Sequence, residues 1–384
     1  MRLPTLENAQ VMLDLPADAT ISTPFDQLWG WILVRQPVAD LRFSALGRDL
    51  IHTRIVRAVL DPNQHAGFSI YLDLPDLIPF GHEVPPELIV SCYDGEFMLC
   101  DFRIRIKDVT ATDLDAQRIS KLIRSKFVER NCNVDTRAYP GCRAPCALPE
   151  NWDICPDLRA KADAVSSHFY GATVQDFLKG LGDGAMVLDV GAGFRKFPYP
   201  TVINLEIYDY PSTDILAASE HLPFSDGVFD GVLSLAVLEH VKNPHVCARE
   251  IERVLKPGGK VLAIIPFVQA EHGYPSHYFN ATRFGVRELF RELTMERQFL
   301  EVSNQPIFTL NQILGLYASG LGAATRAAFL SLTVADLLGR SPMEWLNEPI
   351  VTELSPEVAW LIAWGTTTIF RKSEIGNGVV NPVC

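Results

Sequence analysis

Two histidines and two tyrosines fall within nine residues of each other, in HGYPSHYFN at 272–280. An imidazole exchanges its proton near neutral pH, so His272 and His277 each suit the work of a general base. Tyr274 and Tyr278 offer flat faces on which a sugar or an aromatic ring can stack. The competing reading is structural: His277 and Tyr278 satisfy buried backbone groups while Pro275 shapes the turn. A second group lies upstream. In MVLDVGAGF an aliphatic run ends in Asp189, and Gly191 and Gly193 then let the backbone turn sharply and approach a ligand closely. The third glycine of a dinucleotide fingerprint is missing, because Phe194, Arg195 and Lys196 follow. Glu206 stands 17 residues after Asp189 at the end of the next apolar run, TVINLEI, where a carboxylate can accept from both hydroxyls of a ribose. That combination points to an adenosine-bearing cofactor without a pyrophosphate.

A third group is made of cysteines. Cys132, Cys142, Cys146 and Cys155 lie close together, and four thiolates can enclose a tetrahedral zinc. No CxxC pair is present among them, so reduced, partly buried thiols are the alternative, and the identity of any metal stays open. Glu239 and His240, in LAVLEHV, either fix a loop or touch a substrate.

These residues need elements to hold them. From about residue 21 to 107 the chain shows short β-type runs between turn residues, and in FRIRIK Phe102, Ile104 and Ile106 alternate with basic residues. A period of two marks half-buried strands, and several such runs predict an all-β sandwich. The stretch containing GWILV, RAVLD and a strand-opening GF resembles the immunoglobulin-like modules attached to bacterial glycan-modifying enzymes, which implies either a glycan- or partner-binding module or a scaffold without a ligand. A connector over 111–165 begins as a helix (DLDAQRISKLIRSKF) and becomes irregular. From about Gly184 strands and helices alternate, with HVCAREIERVLKPGG expected to end its helix at Pro257, Gly258 and Gly259. Alternating elements imply a parallel sheet whose ligands sit at the strand C-termini.

The series VLDVGAGF, LEI, HLPFSDGVFDGVLSLAVLEHV, EIERVLKPGGKVLAIIPF and HGYPSHYFNATRFG resembles, in order and spacing, a class I S-adenosylmethionine-dependent methyltransferase of the type 11 kind. The resemblance covers about 110 residues. It implies a Rossmann-like α/β domain that uses S-adenosyl-L-methionine. Asp189, Gly191 and Gly193 would surround the methionine portion, Glu206 would hold the ribose, and the segment from Leu235 to Leu238 would border the transfer chamber. One departure touches the adenine: relatives often carry an acidic residue four places before the leucine of LPF, and here that place is Ala218. An alcohol accepting a methyl group must lose its proton, so His277, deeper in its loop than His272, is expected as the base, with Tyr274, Tyr278 and His240 toward the acceptor.

The expected organisation is a β-sandwich over 1–110, the cysteine-bearing connector over 111–165, and a methyltransferase domain over 166–373. A helical insertion at about 304–365 would separate a final strand pair, MERQFLEVS and TTTIFRK, and 374–384 would form a tail. The insertion has three uses open to it beyond core packing: covering the substrate, a contact between copies in a homo-oligomer, or lying on a membrane surface. With 34 basic against 46 acidic residues the formal charge is −12, which argues against a nucleic-acid partner. The acceptor is expected to be an oxygen on a glycan or a related small molecule. The opening MRLPTLENAQVMLDLP lacks a basic start and an apolar core, and no apolar run of about 18 residues occurs, so the expected location is the cytoplasm. The rival readings are a non-catalytic methyltransferase-fold adaptor in a glycan-assembly complex and a small-molecule enzyme whose sandwich is purely structural.

Overall fold

The computed structural model describes residues 9–16, 18–34, 41–55, 65–94, 96–134, 144–148, 169–273 and 276–368. Two compact units divide the chain, Met1–Ile264 and Ile265–Cys384.

Among the described residues the first unit opens with nine strands: β1 (Ala9–Leu15), β2 (Thr20–Ile21), β3 (Phe25–Val34), β4 (Leu41–Ala45), β5 (Arg48–Asp49), β6 (Ile51–Ile55), β7 (His65–Asp73), β8 (Glu87–Asp94) and β9 (Phe97–Ile106). They form a four-stranded sheet in the order β1-β3-β7-β6 and a five-stranded sheet in the order β2-β9-β8-β4-β5. All neighbours are antiparallel except the short β2–β9 pair. Alternation explains how the sheets meet. Phe102 and Ile104 of β9 point inward beside Val90 of β8 and Phe43 of β4, while Arg103 and Arg105 stay outside. The facing sheet supplies Leu28, Ile32, Phe68 and Ile70, so one apolar core joins both sheets, with the Phe43 and Phe68 rings 4.8 Å apart. A one-turn helix, α1 (Leu74–Leu77), follows β7.

Helix α2 (Ala111–Asn131) begins at a capping box, in which Thr110 accepts from the Asp113 amide and Asp113 accepts from the Thr110 amide. It then lies against a parallel sheet. Phe127 meets Phe229 at 5.5 Å, and the buried Arg124 donates through Nε to both oxygens of Asp214 at 3.0 and 2.9 Å.

That sheet contains β10 (Val187–Val190), β11 (Val202–Glu206), β12 (Ile215–Leu216), β13 (Phe229–Leu235) and β14 (Leu255–Ile264) in the order β12-β11-β10-β13-β14, all parallel. Its central strands are buried on both faces, as their unbroken apolar character requires. Helix α3 (Ala172–Gly180) precedes β10 and packs Val174 and Phe177 with Val187, Val202 and Leu233. Helix α4 (Pro244–Val254) links β13 to β14 through a face of Cys247, Ala248, Ile251 and Val254.

The alternation of strand and helix is less regular than expected. Residues 191–201, between β10 and β11, contain no helix, and neither do 217–228 between β12 and β13. In the first crossing Pro198 and Pro200 remove amide donors and hold the residues before them extended, which prevents a helix from propagating. Nor do Pro257, Gly258 and Gly259 end α4, which stops earlier at Val254; they form an excursion within β14, whose pairing with β13 jumps from Phe229–Leu255 to Gly231–Lys260.

The second unit is helical among its described residues: α5 (Arg283–Leu289), α6 (Pro306–Ser319), α7 (Ala323–Ser331), α8 (Val334–Gly339), α9 (Pro342–Trp345), α10 (Pro349–Thr352) and α11 (Pro356–Ile362). Its core gathers Ala318, Leu321, Phe329 and Ile350, with Tyr317 stacked on Phe329 at 4.9 Å and donating from its hydroxyl to the Ile350 carbonyl. The expected strand at MERQFLEVS is absent. Met295, Phe299, Leu300 and Val302 are exposed there, and among the described residues no sheet gives them a face to bury. In TTTIFRK residues 366–368 are not a strand, and the rest lies outside the described residues. Among the described residues no helix is long and apolar enough to cross a membrane.

Candidate functional site

The chain leaves β10 for β11 and β12 on one side of the sheet, then returns to β13 and β14 on the other. The C-terminal ends of β10 and β13 therefore flank the point where the order reverses, the place at which open parallel sheets bind ligands. Asp189 lies in β10, Gly191 and Gly193 immediately follow it, Glu206 ends β11 and Leu235 ends β13, so five of the expected residues converge on this edge.

Gly191 has a φ of +65°, and a Cβ added to it would stand 2.7 Å from a methyl of Val237. Backbone geometry and space both demand glycine there. Gly193, at φ +64°, donates its N–H to Glu206 Oε2 at 2.9 Å, and the other oxygen of Glu206 accepts from Ile207 N at 2.7 Å. Glu206 thus ties the loop after one strand to the end of the next. Burial raises its pKa, while the two backbone donors work in the opposite direction.

Asp189 is fully buried. Its Oδ2 accepts from Arg195 Nη2 at 2.8 Å and Nε at 3.2 Å and from the Tyr170 hydroxyl at 2.5 Å. The guanidinium also sits 4.6 Å from the centre of the Tyr170 ring. Burial opposes the charge on Arg195, but Asp189 and Tyr170 more than offset it and raise its pKa. Asp189 Oδ1 is buried without a hydrogen-bond partner. Beside this group a cavity of about 450 Å³ is lined by Phe169, Tyr170, Arg195, Lys196, Phe197 and Tyr199, among others. Arg195 and Tyr170 were not among the expected site residues. No local sequence signal marked them; the Asp189 pairing depends on both side chains facing the interior.

On the β13 side Leu235 leads through Ala236, at φ +57°, into a single 3-10 turn over Leu238–His240. Glu239 is fully buried with no hydrogen bond to either carboxylate oxygen, and burial pushes its pKa up to about 7. His240 is partly exposed, its Nε2 3.8 Å from Glu239 Oε1. Asp214 is engaged with Arg124 and with the Asn204 amide, and Ala218 is buried.

His272, His277 and Tyr278 belong to the second unit, and Tyr274 lies outside the described residues. The two imidazoles meet edge to face at 4.4 Å. His277 Nδ1 accepts from the His272 amide at 3.3 Å, which places the ring proton on Nε2, facing the Phe279 carbonyl at 3.1 Å and Asn280 Oδ1 at 3.0 Å. In His272 the Nδ1 lies 2.9 Å from the Ala270 carbonyl, so it carries the proton and Nε2 is the basic nitrogen. Burial lowers the pKa of His272 and favours its neutral, proton-accepting form. Of the grouped cysteines, Cys132 bridges to Phe224 and the buried Cys146 to Leu216, whereas Cys142 and Cys155 lie outside the described residues.

Residues 201–263, from the start of β11 to the end of β14, match the family model of a methyltransferase domain. The strand order and this match together define a methyltransferase-like α/β fold. Cycloartenol-C-24-methyltransferase 1 of rice is 30% identical over 215 residues, covering 50% of this chain and 56% of that protein. The tRNA (carboxymethyluridine(34)-5-O)-methyltransferase of Arabidopsis thaliana is 30% identical over 124 residues, 27% of this chain and 31% of its own. An uncharacterized protein of Methanocaldococcus jannaschii is 48% identical over 85 residues, 20% and 42% of the two chains. The chain thus spans between about a third and a little over half of the length of these relatives.

Proposed function

We propose that the protein is an S-adenosyl-L-methionine-dependent methyltransferase acting on an oxygen of a glycan or a related small molecule. The observation that carries the reading is the convergence of Gly191, Gly193, Asp189 and Glu206 at the β10/β13 reversal. A cofactor with an ammonium group and a ribose fits these residues: Asp189 Oδ1 is a buried acceptor still lacking a donor, Glu206 is a second acceptor, and the glycines remove the side chains that would fill the approach. When bound, the cofactor supplies an electrophilic methyl group on a sulfonium.

The chain's own residues would do the rest. Glu206 sets the position of the Gly193 amide and accepts from the ribose hydroxyls. Arg195 holds the Asp189 carboxylate in place. Leu235 and Leu238 present an apolar wall that excludes water from the transfer region. Removal of the acceptor's proton would fall to a histidine of the HGYPSHYFN loop, His277 or His272, either of which can take a proton near neutral pH. The relatives are named for a sterol carbon and a uridine oxygen, so their acceptors differ from one another. A formal charge of −12 speaks against RNA here.

Incubation with isotopically labelled cofactor and a panel of sugars, phenols and RNA, read by mass spectrometry, tests the assignment. Label transferred to an oxygen of a sugar or small molecule is expected. Cofactor binding without transfer to any acceptor class would favour the adaptor reading instead.

A further inference from the structure

The loop that carries the glycines has no helix behind it, yet it is not left unsupported. Phe194, between the residue bonded to Glu206 and the residue paired with Asp189, is 1% exposed. Its ring is covered by Tyr71 of β7, edge to face at 5.2 Å, and by Tyr210 at 6.0 Å, with Phe25 of β3 completing the cluster. Two residues further on, Lys196 Nζ donates to Asp26 Oδ1 at 2.6 Å. Asp26 is itself fixed at the start of β3, accepting from the Thr23 hydroxyl at 2.9 Å and the Gln27 amide at 2.8 Å, and Gln27 donates to the Tyr71 hydroxyl at 3.1 Å. Gln27 and Tyr71 are also direct partners in the β3–β7 register. One end of the four-stranded sheet is therefore organised around residues 194 and 196.

We infer that the N-terminal β-structure is a working part of the cofactor site, in which Asp26 and Tyr71 act as positioning residues for the 193–196 loop. The inference rests on the cofactor reading given above. In a doubly wound sheet the crossover helix that follows the glycine turn anchors it; here Pro198 and Pro200 forbid that helix, and the sandwich takes over the anchoring. Displacing Phe194 would move Gly193 away from Glu206 and Arg195 away from Asp189 together, because it lies between them in the chain. A sandwich that only carried a separate binding function would need no charged bond to this loop and no aromatic lid over it.

The test uses the full chain and four variants: Asp26→Asn, Lys196→Gln, their combination, and Tyr71→Leu. A fifth, Val90→Ala, removes volume from the sandwich core away from the loop. Affinity for S-adenosylhomocysteine is measured by calorimetry, and amide hydrogen exchange of residues 191–197 is followed without any ligand. Asp26→Asn and Lys196→Gln should each weaken binding by about tenfold. The double variant should be no weaker than the worse single, because both changes remove one bond. Tyr71→Leu should weaken binding and speed exchange across the loop, whereas Val90→Ala should lower the melting temperature with affinity and loop exchange unchanged. Wild-type affinity and wild-type loop exchange in Asp26→Asn and Tyr71→Leu would overturn the inference. A wild-type protein that does not bind the nucleoside at all would instead overturn the cofactor reading, and the exchange measurement would still decide whether the sandwich holds the loop.

Discussion

Arg195 reaches back six residues to Asp189 and forms a buried ion pair with it, Nη2 to Oδ2 at 2.8 Å, with side-chain exposures of 4% and 0%. The pair lies one residue before the place where a dinucleotide loop would have its third glycine, which here is Lys196. It ties the turn after β10 back to the strand through a buried ion pair.

Breaking that pair from one side should be costly. Asp189→Asn or Arg195→Met alone leaves a buried group without its counter-charge, and each should lose about 3 to 5 kcal/mol of stability. The double variant should recover part of that loss, since neither charge is then buried alone. Urea denaturation of the three variants checks this, and a double variant less stable than both singles would show that the two residues do not act on each other.

Glu239 sets a pH dependence. Its carboxyl is raised from an ordinary 4.5 to about 7 by burial, so the native state holds its proton longer than the unfolded chain does. Below about pH 4.5 both states are protonated and nothing is lost. As pH rises from there to about 7 the unfolded state ionises first and native stability falls, by roughly 3 kcal/mol once both are ionised. Glu239→Gln should therefore raise the melting temperature at pH 8 and leave it nearly unchanged at pH 4.5. An equal shift at both values would mean that the carboxyl is not strained by its burial.

The histidine loop separates chemistry from structure. His277→Gln and His272→Gln each keep a polar side chain that cannot take a proton, so the variant that removes the base should lose about 10² to 10⁴ in turnover with its melting temperature little changed. The histidine that only holds the loop should lower the melting temperature when replaced and leave turnover at saturation close to wild type. Steady-state rates at saturating acceptor across neutral pH check both. Full activity in both variants would leave the loop as a shaped turn.

How much of this was visible in the sequence varies with the range of the interaction. The glycine turn and Glu206 were legible because strand ends and special backbone angles are local properties. The absent crossover helix was signalled by Pro198 and Pro200, but the repeating strand pattern around them suggested the regular arrangement. MERQFLEVS carries apolar residues suited to a strand but pairs with none among the described residues, which no local pattern reveals. The bond between Asp26 and Lys196 joins residues 170 positions apart, and only the folded chain brings them together. The pair of Asp189 and Arg195 is close in sequence, yet reading it required knowing that both side chains face the interior.

The central claim is that the β10/β13 edge binds an adenosine cofactor through Glu206, and titration calorimetry with S-adenosylhomocysteine tests it most directly. The account predicts saturable binding at one site per wild-type chain, and binding weaker by about 1.5 to 3 kcal/mol in Glu206→Ala, which loses the acceptor for both the ribose and the Gly193 amide. No heat of binding and no shift in melting temperature at saturating nucleoside, or equal affinity in the two proteins, would contradict it.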